Sequence, residues 1–189
     1  MAVERSAQVI GAFVALIGER GLEAVTLDDV ARAAGVDRTV IRHYVGNRQD
    51  LIWAAVDHLA VRYERASRDA LGDDPSLDRW LALLFGGGWG TAVDDAAFDV
   101  LIQEAIRDDA LRERMRAGYA VLVDAVADAV RGVAPQASRR ATVDVAYSIV
   151  CLAEQNLTMQ ALGFPHARAT AARRAARALA DALPNEGRP

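Results

Sequence analysis

A chain of 189 residues in which 52% are hydrophobic and 25% are charged has the balance of a folded, water-soluble protein, which excludes intrinsic disorder. It has neither a run of 18 or more apolar residues nor a secretion signal, so we expect no membrane span and a cytoplasmic location. One cysteine and three scattered histidines cannot supply a disulfide or a structural zinc site, and we expect no metal and no cofactor.

Apolar residues spaced three and four apart predict four helices within about the first 70 residues. The positions from Val3 to Ile17 define one face of the first helix, which we expect to end at Gly21. The last of the four is a long helix that extends to about Leu71. Three residues stand where N-caps are expected, and each opens a helical segment: Thr26, Asp37 and Asn47.

Beyond a turn at Pro75 the sequence keeps helical periods and has almost no strand-like alternation, which predicts an all-α fold. Residues 143–152 are apolar almost all round, which indicates a helix buried on two sides, and we expect a second subunit to cover one of them. Cys151 in this segment is interpreted as a small core residue. Helices are predicted around Trp80 and over about 98–105, 111–130, 143–152 and 166–183.

Two short predicted helices meet across Gly35, with the composition that a close helix crossing needs. Ala31 and Ala34 give the first helix a small inner surface, and Gly35 can adopt the positive φ of the turn. This pattern predicts a helix-turn-helix, whose second helix enters the major groove of DNA. We expect the apolar seam between the helices to contain Val30, Ala34, Ile41 and Tyr44.

The second of these helices opens a local basic segment in an acidic chain. The formal net charge is -4, yet residues 38–48 contain three arginines and no acid, which suits selective binding to a polyanion. Arg38, in the first turn, is expected to read a guanine, unless it pairs with Asp37 or Glu23 on the surface. Arg48 is expected to contact phosphates. The predicted DNA-contacting residues are Thr26, Arg38, Thr39, Arg42, His43, Tyr44 and Arg48.

The run TLDDVARAAGVDRTVIRHYVGNRQDLIWAAV resembles the N-terminal helix-turn-helix of the TetR (tetracycline repressor) family of transcriptional regulators. The resemblance is specific over about Ala7 to Val56, and EAIRDDALRERM is similar to the junction of the sixth and seventh helices in many members. Arg42 stands where many members have tyrosine, and Gly46 where many have proline. Asp28, an acid near the start of the second helix, is interpreted as stabilising the helix dipole.

The resemblance implies an all-α homodimer that binds a palindromic operator on double-stranded DNA. It implies a helix-turn-helix DNA-binding domain at residues 1–46 and a helical ligand-binding and dimerisation domain at 47–189. The fourth helix, at about 47–71, would link them, and the last two long helices would pair across a twofold axis. The implied activity is that of a repressor released from its operator by a small, largely apolar effector.

Aromatic and scarce polar residues in the second half are candidates for the effector cavity. The glycine-rich stretch FGGGWG has neither the preceding strand nor the spacing of a phosphate-binding loop. It is interpreted as a helix break beside Trp89 near a pocket, or as an ordinary interhelix loop. Glu154 and Asn156 are further polar candidates. The predicted cavity residues are Trp80, Trp89, Phe98, Gln103, Tyr119, Gln155 and Met159.

The sequence gives less support to two other classes of function, an enzyme and an interaction protein. The sequence lacks the G-x-S-x-G and H-E-x-x-H signatures of hydrolases and metalloproteases, so we expect no enzyme and no catalytic residue. An all-helical interaction protein of the same fold, without ligand response or with lost DNA binding, predicts a neutral second helix. Arg38, Arg42 and Arg48 disfavour that alternative.

Overall fold

The computed structural model describes residues 2–87 and 89–184, and these residues form α-helices and no strand. Met1, Gly88 and residues 185–189, which include the ends of the two predicted domains and one glycine of the predicted helix break, lie outside the described residues. Among the described helices, none combines the length and the apolar character that crossing a membrane requires. The helices are α1 (Ala2–Arg20), α2 (Leu27–Ala33), α3 (Arg38–Tyr44), α4 (Arg48–Leu71), α5 (Leu77–Gly86), α6 (Ala92–Ala105), α7 (Asp109–Val133), α8 (Arg139–Ala161) and α9 (His166–Asp181).

The predicted helix starts in the N-terminal region are confirmed. The Thr26 hydroxyl accepts a hydrogen bond from the Asp29 amide at 3.2 Å, and the Asp29 carboxylate accepts one from the Thr26 amide at 3.0 Å. Asn47 and Asp50 form the same reciprocal cap at the start of α4, with distances of 3.1 and 2.8 Å. Asp37 occupies the N-cap of α3, but its side chain makes no capping hydrogen bond.

The described residues divide into two compact units, the first of which contains residues 2–65 and 90–118. One face of each of its helices enters a shared core, so the short helices α2 and α3 are held by burial rather than by their own length. The largest buried side chains of this core are Phe13, Ile17, Ile41, Leu51, Leu59, Leu101 and Leu111.

The expected seam between α2 and α3 is correct for three residues and wrong for Tyr44. Val30, Ala34 and Ile41 are buried, whereas Tyr44 is 39% exposed on the outer side of α3. The helix ends at Tyr44, and the next residue, Val45, leaves the helical conformation and packs against the core. At the end of α3, Val45 and not Tyr44 therefore packs against the core.

Helices α1 and α6 approach so closely at Gly18 that only glycine fits. A Cβ atom at this position would lie 2.8 Å from the Val93 carbonyl oxygen and 3.2 Å from the Ala97 nitrogen. Both are backbone atoms, which cannot rotate away as a flexible side chain could. Gly18 is therefore a packing requirement of the α1–α6 contact.

We expect Gly18→Ala to lower the free energy of unfolding by about 1–3 kcal/mol, because the added methyl group overpacks the contact. The matched control is Gly11→Ala in the same helix, where an added Cβ meets no atom within 4 Å. That variant should be neutral or more stable by up to about 1 kcal/mol, since alanine favours the helix. Urea unfolding followed by circular dichroism measures both variants. A Gly18→Ala protein as stable as the wild type would contradict the close contact.

Of the described residues, the second unit contains 66–87, 89 and 119–184. Its core joins α5, the C-terminal part of α7, α8 and α9. Helix α5 ends at Gly86, followed by Gly87 in the left-handed region at φ +73, so helical structure stops within the glycine-rich stretch, as both interpretations of it require. The Trp89 indole nitrogen donates a hydrogen bond to the Ser67 hydroxyl at 2.5 Å. The largest fully buried side chains of this core are Leu77, Leu81, Leu84 and Ile149.

Helix α8 buries one face in this unit and leaves the opposite face exposed. Ala146 and Ile149 are fully buried, whereas Tyr147 is 62% exposed. Cys151, which lies four residues after Tyr147, is exposed as well, so its interpretation as a core residue is wrong. The helical period explains the difference, because residues four apart share one face, and Cys151 shares the face of Tyr147.

Candidate nucleic-acid interface

The turn between α2 and α3 is fixed by glycine conformation and by hydrogen bonds. Gly35 adopts φ +62, as the predicted turn requires. The Val36 amide donates to the Ala31 carbonyl at 3.0 Å, and the Gln8 side chain in α1 donates to the Ala34 carbonyl at 2.8 Å. The turn is thereby connected to α1 as well as to α2, which orients α3 within the first unit.

The exposed face of α3 carries the side chains that the sequence assigned to DNA. The rings of His43 and Tyr44 meet edge to face, with centroids 4.8 Å apart. Beside Tyr44 lies an open groove of about 530 Å³, which is also lined by Arg5 and Arg32. The predicted contact residues of α3 are all exposed: Arg38, Thr39, Arg42, His43 and Tyr44.

Arg38 pairs with Asp28, and not with Asp37 or Glu23 as the alternative interpretation supposed. Its Nη1 atom lies 3.3 Å from both carboxylate oxygens of Asp28. Both side chains are 61% exposed. The pair joins the first turn of α2 to the first turn of α3. The sequence contained the acid but gave no sign of this partner, because the pairing crosses the turn.

Arg48 is held by the backbone of the loop that precedes α2. Its Nη1 atom donates to the Val25 carbonyl and its Nη2 atom to the Leu22 carbonyl, each at 2.5 Å. These carbonyls lie in the loop between α1 and α2, where the Leu22 carbonyl also accepts a hydrogen bond from the Val25 amide at 3.4 Å. A contact between Arg48 and phosphate remains a prediction, to which the structure adds this role in fixing the loop.

The remaining predicted DNA residue, Thr26, already serves the N-terminus of α2. Its hydroxyl and amide both bond to Asp29, and these hydrogen bonds hold the pKa of the Asp29 carboxyl below its usual value. Arg32 pairs with the same carboxylate at 3.1 Å. Asp29 is therefore committed to the cap, whereas the neighbouring Asp28 is directed to α3.

The seven predicted cavity residues are divided between the two units. Phe98 is half-buried in the first unit, where its ring centroid lies 5.5 Å from that of Tyr63. Gln103 is exposed in the same unit. The second unit contains Trp80, which is buried, Trp89 and Tyr119, which are half-buried, and Gln155 and Met159, which are exposed. Neither unit contains the whole set, because the prediction rested on residue type alone.

Two polar groups of α8 lack partners in the second unit. Across residues 2–87 and 89–184, Asn156 Nδ2 and Gln160 Nε2 are among the buried side-chain atoms without a hydrogen-bond partner. Asn156 is only 8% exposed. A buried amide that donates no hydrogen bond is costly unless another molecule accepts one.

The described residues contain no cluster of three or more histidine, cysteine or acidic side chains that could hold a metal ion.

Comparisons with known proteins agree with this geometry. Residues 10–55 match the family described as "Bacterial regulatory proteins, tetR family". A curated relative, the HTH-type transcriptional regulator BetI of Serratia proteamaculans, is 29% identical over 96 residues, which cover 49% of this chain and 48% of the relative. The chain thus spans about half the length of that relative.

Solved structures extend the similarity of fold to nearly the whole chain. A TetR transcription regulator from Haloarcula marismortui superposes with a TM-score of 0.79 at 19% identity, covering 96% of this chain and 98% of its own. A protein from Saccharomonospora viridis, solved in complex with choline, gives a TM-score of 0.75 at 16% identity, with coverages of 95% and 97%. At these identities the similarity establishes the all-α fold.

Proposed function

The chain belongs, through residues 10–55, to the tetR family of bacterial regulatory proteins, and on this premise we propose that it is a DNA-binding transcriptional regulator. The observation that carries the proposal is the exposed face of α3, which displays two arginines and no acid. A helix held on a fixed turn, with cations on its outer face, is the form in which proteins enter the major groove. The chain as a whole has a formal net charge of -4, so its acidic remainder would repel DNA in other orientations.

The proposed activity is repression at a palindromic operator by a homodimer. The dimer proposal is supported by large apolar side chains that α8 and the following loop leave exposed. Tyr147 is 62%, Leu162 69% and Phe164 52% exposed. An apolar surface of this kind is typical of a subunit interface. Two recognition helices related by a twofold axis then require two half-sites of the same sequence in opposite orientation.

Selection of duplexes from a random pool with the purified protein tests this function. A repressor of this kind should return a palindromic consensus with half-sites about one helical turn apart. The alternative, an all-helical interaction protein that does not bind DNA, predicts no enrichment above a control selection carried out without the protein. Selection without any consensus would therefore contradict the proposed function.

Arg38 and Arg48 are expected to contribute to DNA binding in different ways. Arg38→Ala should cost about 1–3 kcal/mol per half-site and broaden the consensus at one base pair, because a base contact is lost. Arg48→Ala should weaken binding to all sequences alike and flatten the salt slope by roughly one unit per subunit. Fluorescence anisotropy on cognate and scrambled duplexes measures both effects.

A control separates the DNA contact of Arg48 from its role in the loop. Because the guanidinium bonds to the Leu22 and Val25 carbonyls, Arg48→Ala is also expected to lower the melting temperature. Arg48→Lys keeps the charge but not the forked geometry, so it should preserve more of the salt slope than of the melting temperature.

Equal losses for Arg38→Ala on cognate and scrambled duplexes would reassign base reading to Thr39 and Arg42.

We further propose that a small effector releases the protein from DNA. The buried and unpartnered amide nitrogen of Asn156 supports a polar contact with such a molecule in the second unit. The choline complex of the Saccharomonospora viridis protein supports a small molecule as the kind of ligand that this fold accepts. An effector can lower operator affinity by no more than its differential affinity for the free and DNA-bound states.

Trp89 is the expected reporter of effector binding. A ligand that enters the second unit should change tryptophan fluorescence and raise the melting temperature by mass action. A panel of small molecules that includes choline provides the probes. Trp89→Phe should remove most of the fluorescence change, although Trp53 and Trp80 still emit. A response that survives this substitution intact would assign Trp89 to the core alone.

A further inference from the structure

The contact between Asp28 and Arg38 connects α2 and α3, the two helices of the proposed DNA-binding helix-turn-helix. Asp28 lies in the first turn of α2, and its carboxylate oxygens are both 3.3 Å from Nη1 of Arg38 in the first turn of α3. The N-terminus of α2 does not depend on this carboxylate, because Thr26 and Asp29 already complete the capping box. Asp28 is thus the acid of that turn whose carboxylate is directed to the recognition helix.

The geometry leaves Arg38 able to bind a base while it is held. A guanidinium has five N–H donors, and the contact with Asp28 uses those of Nη1 alone. The Nε and Nη2 groups remain available for the two parallel hydrogen bonds that O6 and N7 of guanine accept. An arginine side chain loses rotamer freedom when it binds, so a partner that restricts it beforehand reduces the cost of ordering.

The carboxylate also affects DNA that has the wrong sequence. A negative charge beside the groove is repelled by phosphates, and only a correct base contact by Arg38 offsets that repulsion. Removing the charge should therefore raise affinity for incorrect duplexes more than for the cognate duplex. Helix-dipole stabilisation alone, the interpretation drawn from the sequence, predicts a change in folding stability and none in discrimination.

We propose that Asp28 is a positioning residue that sets the base discrimination of Arg38. The proposal rests on the proposed DNA-binding function and deepens it, because it assigns the specificity at one base pair of each half-site to a pair of residues. Asp28 itself touches no base in this arrangement. It acts by holding the Nη1 side of the Arg38 guanidinium and by the repulsion between its carboxylate and the phosphates of non-cognate DNA.

The experiment measures discrimination, which is the affinity for the selected duplex divided by the affinity for an altered duplex. The altered duplex differs at one base pair, the one at which Arg38→Ala removes the sequence preference. In Asp28→Asn, which keeps the shape of the side chain, discrimination should fall by about two- to fivefold per half-site, the range of an exposed ion pair. Affinity for the altered duplex should rise. Glu23→Gln, an exposed acid in the loop before α2, is the control for loss of charge and should leave discrimination unchanged.

A double-mutant cycle shows whether the effect passes through Arg38. In the Arg38→Ala background, Asp28→Asn should no longer change discrimination, whereas a persisting effect would overturn the proposal. Unchanged discrimination in the single variant, or an equal fall at every base pair, would also overturn it. Thermal melting confirms that Asp28→Asn is folded, and Asp28→Ser serves as a second uncharged variant.

The outcomes distinguish the proposal from the function on which it rests. If wild-type protein selects no consensus, the regulatory function fails and the role of Asp28 fails with it. If the wild type selects a consensus and Asp28→Asn discriminates as well as the wild type, only the role of Asp28 is refuted.

Discussion

Replacing Arg62 with alanine is expected to lower the free energy of unfolding by about 2–4 kcal/mol. Its Nη2 atom lies 2.8 Å from a carboxylate oxygen of Asp94, whose side chain is only 4% exposed. The same carboxylate oxygen accepts a hydrogen bond from the Thr91 hydroxyl at 2.8 Å. The other oxygen of Asp94 is buried without a hydrogen-bond partner among residues 2–87 and 89–184. Loss of Arg62 would leave a buried charge without its arginine partner.

His58 gives this destabilisation a dependence on pH. Burial first, and Arg62 second, hold the pKa of His58 below its ordinary value, whereas Asp94 acts in the opposite direction. In Arg62→Ala the second cause is absent, so His58 should bind a proton more readily. The resulting positive charge would partly compensate the negative charge of Asp94. The loss of stability should therefore be smaller at about pH 5.5 than at about pH 8.

Urea unfolding at both pH values measures these effects. The matched control is Arg65→Ala, which removes an exposed arginine of the same helix and should change stability by less than about 0.5 kcal/mol. Arg62→Lys should recover part of the loss, since it restores the charge. An Arg62→Ala protein that unfolds like the control would show that Asp94 tolerates burial without this arginine.

Replacing both Tyr147 and Leu162 with glutamate is expected to convert the proposed dimer into a monomer. Both side chains belong to the exposed apolar surface of α8 and its following loop, and four glutamates across a twofold axis would have to be buried in an apolar interface. Affinity for the palindromic operator should then fall by more than about 100-fold, because the two half-sites no longer bind as one unit.

Light scattering should give the wild type about twice the chain mass of 20.3 kDa, and the double variant about that mass. Val121→Glu is the matched control, since Val121 is 68% exposed but lies on α7. That variant should remain a dimer and bind DNA normally. A wild-type protein that is monomeric at micromolar concentration would contradict the proposed interface.

Local chemistry explains why the helix-turn-helix could be predicted from the sequence. Thr26 and Asn47 are residue types that favour the N-cap, and each is followed three residues later by an acid that completes a reciprocal cap. The turn at Gly35 required a residue that tolerates positive φ, and glycine does so without strain. Such features depend on neighbours within a few residues, so they are visible before any tertiary contact is known.

The contacts of long side chains could not be predicted in the same way. Arg38 and Asp28 are ten residues apart, and Arg48 is 23 and 26 residues from the carbonyl groups that it binds. Such partners depend on the rotamer that an arginine adopts once the helices have packed. The exposure of Cys151 was missed for another reason, since a helix that is apolar on every side carries no sign of which side faces the core.

The two hydrogen bonds from Arg48 to the loop before α2 have a mechanical consequence. A single hydrogen bond would act as a hinge, but two bonds, to Leu22 and Val25, oppose rotation about either one. The first turn of α4 and the loop at residues 22–25 should therefore move as one rigid piece. A twist applied to the start of α4 would reach the N-terminus of α2 without being absorbed in the loop, whereas the single ammonium group of a lysine at position 48 would let that loop pivot.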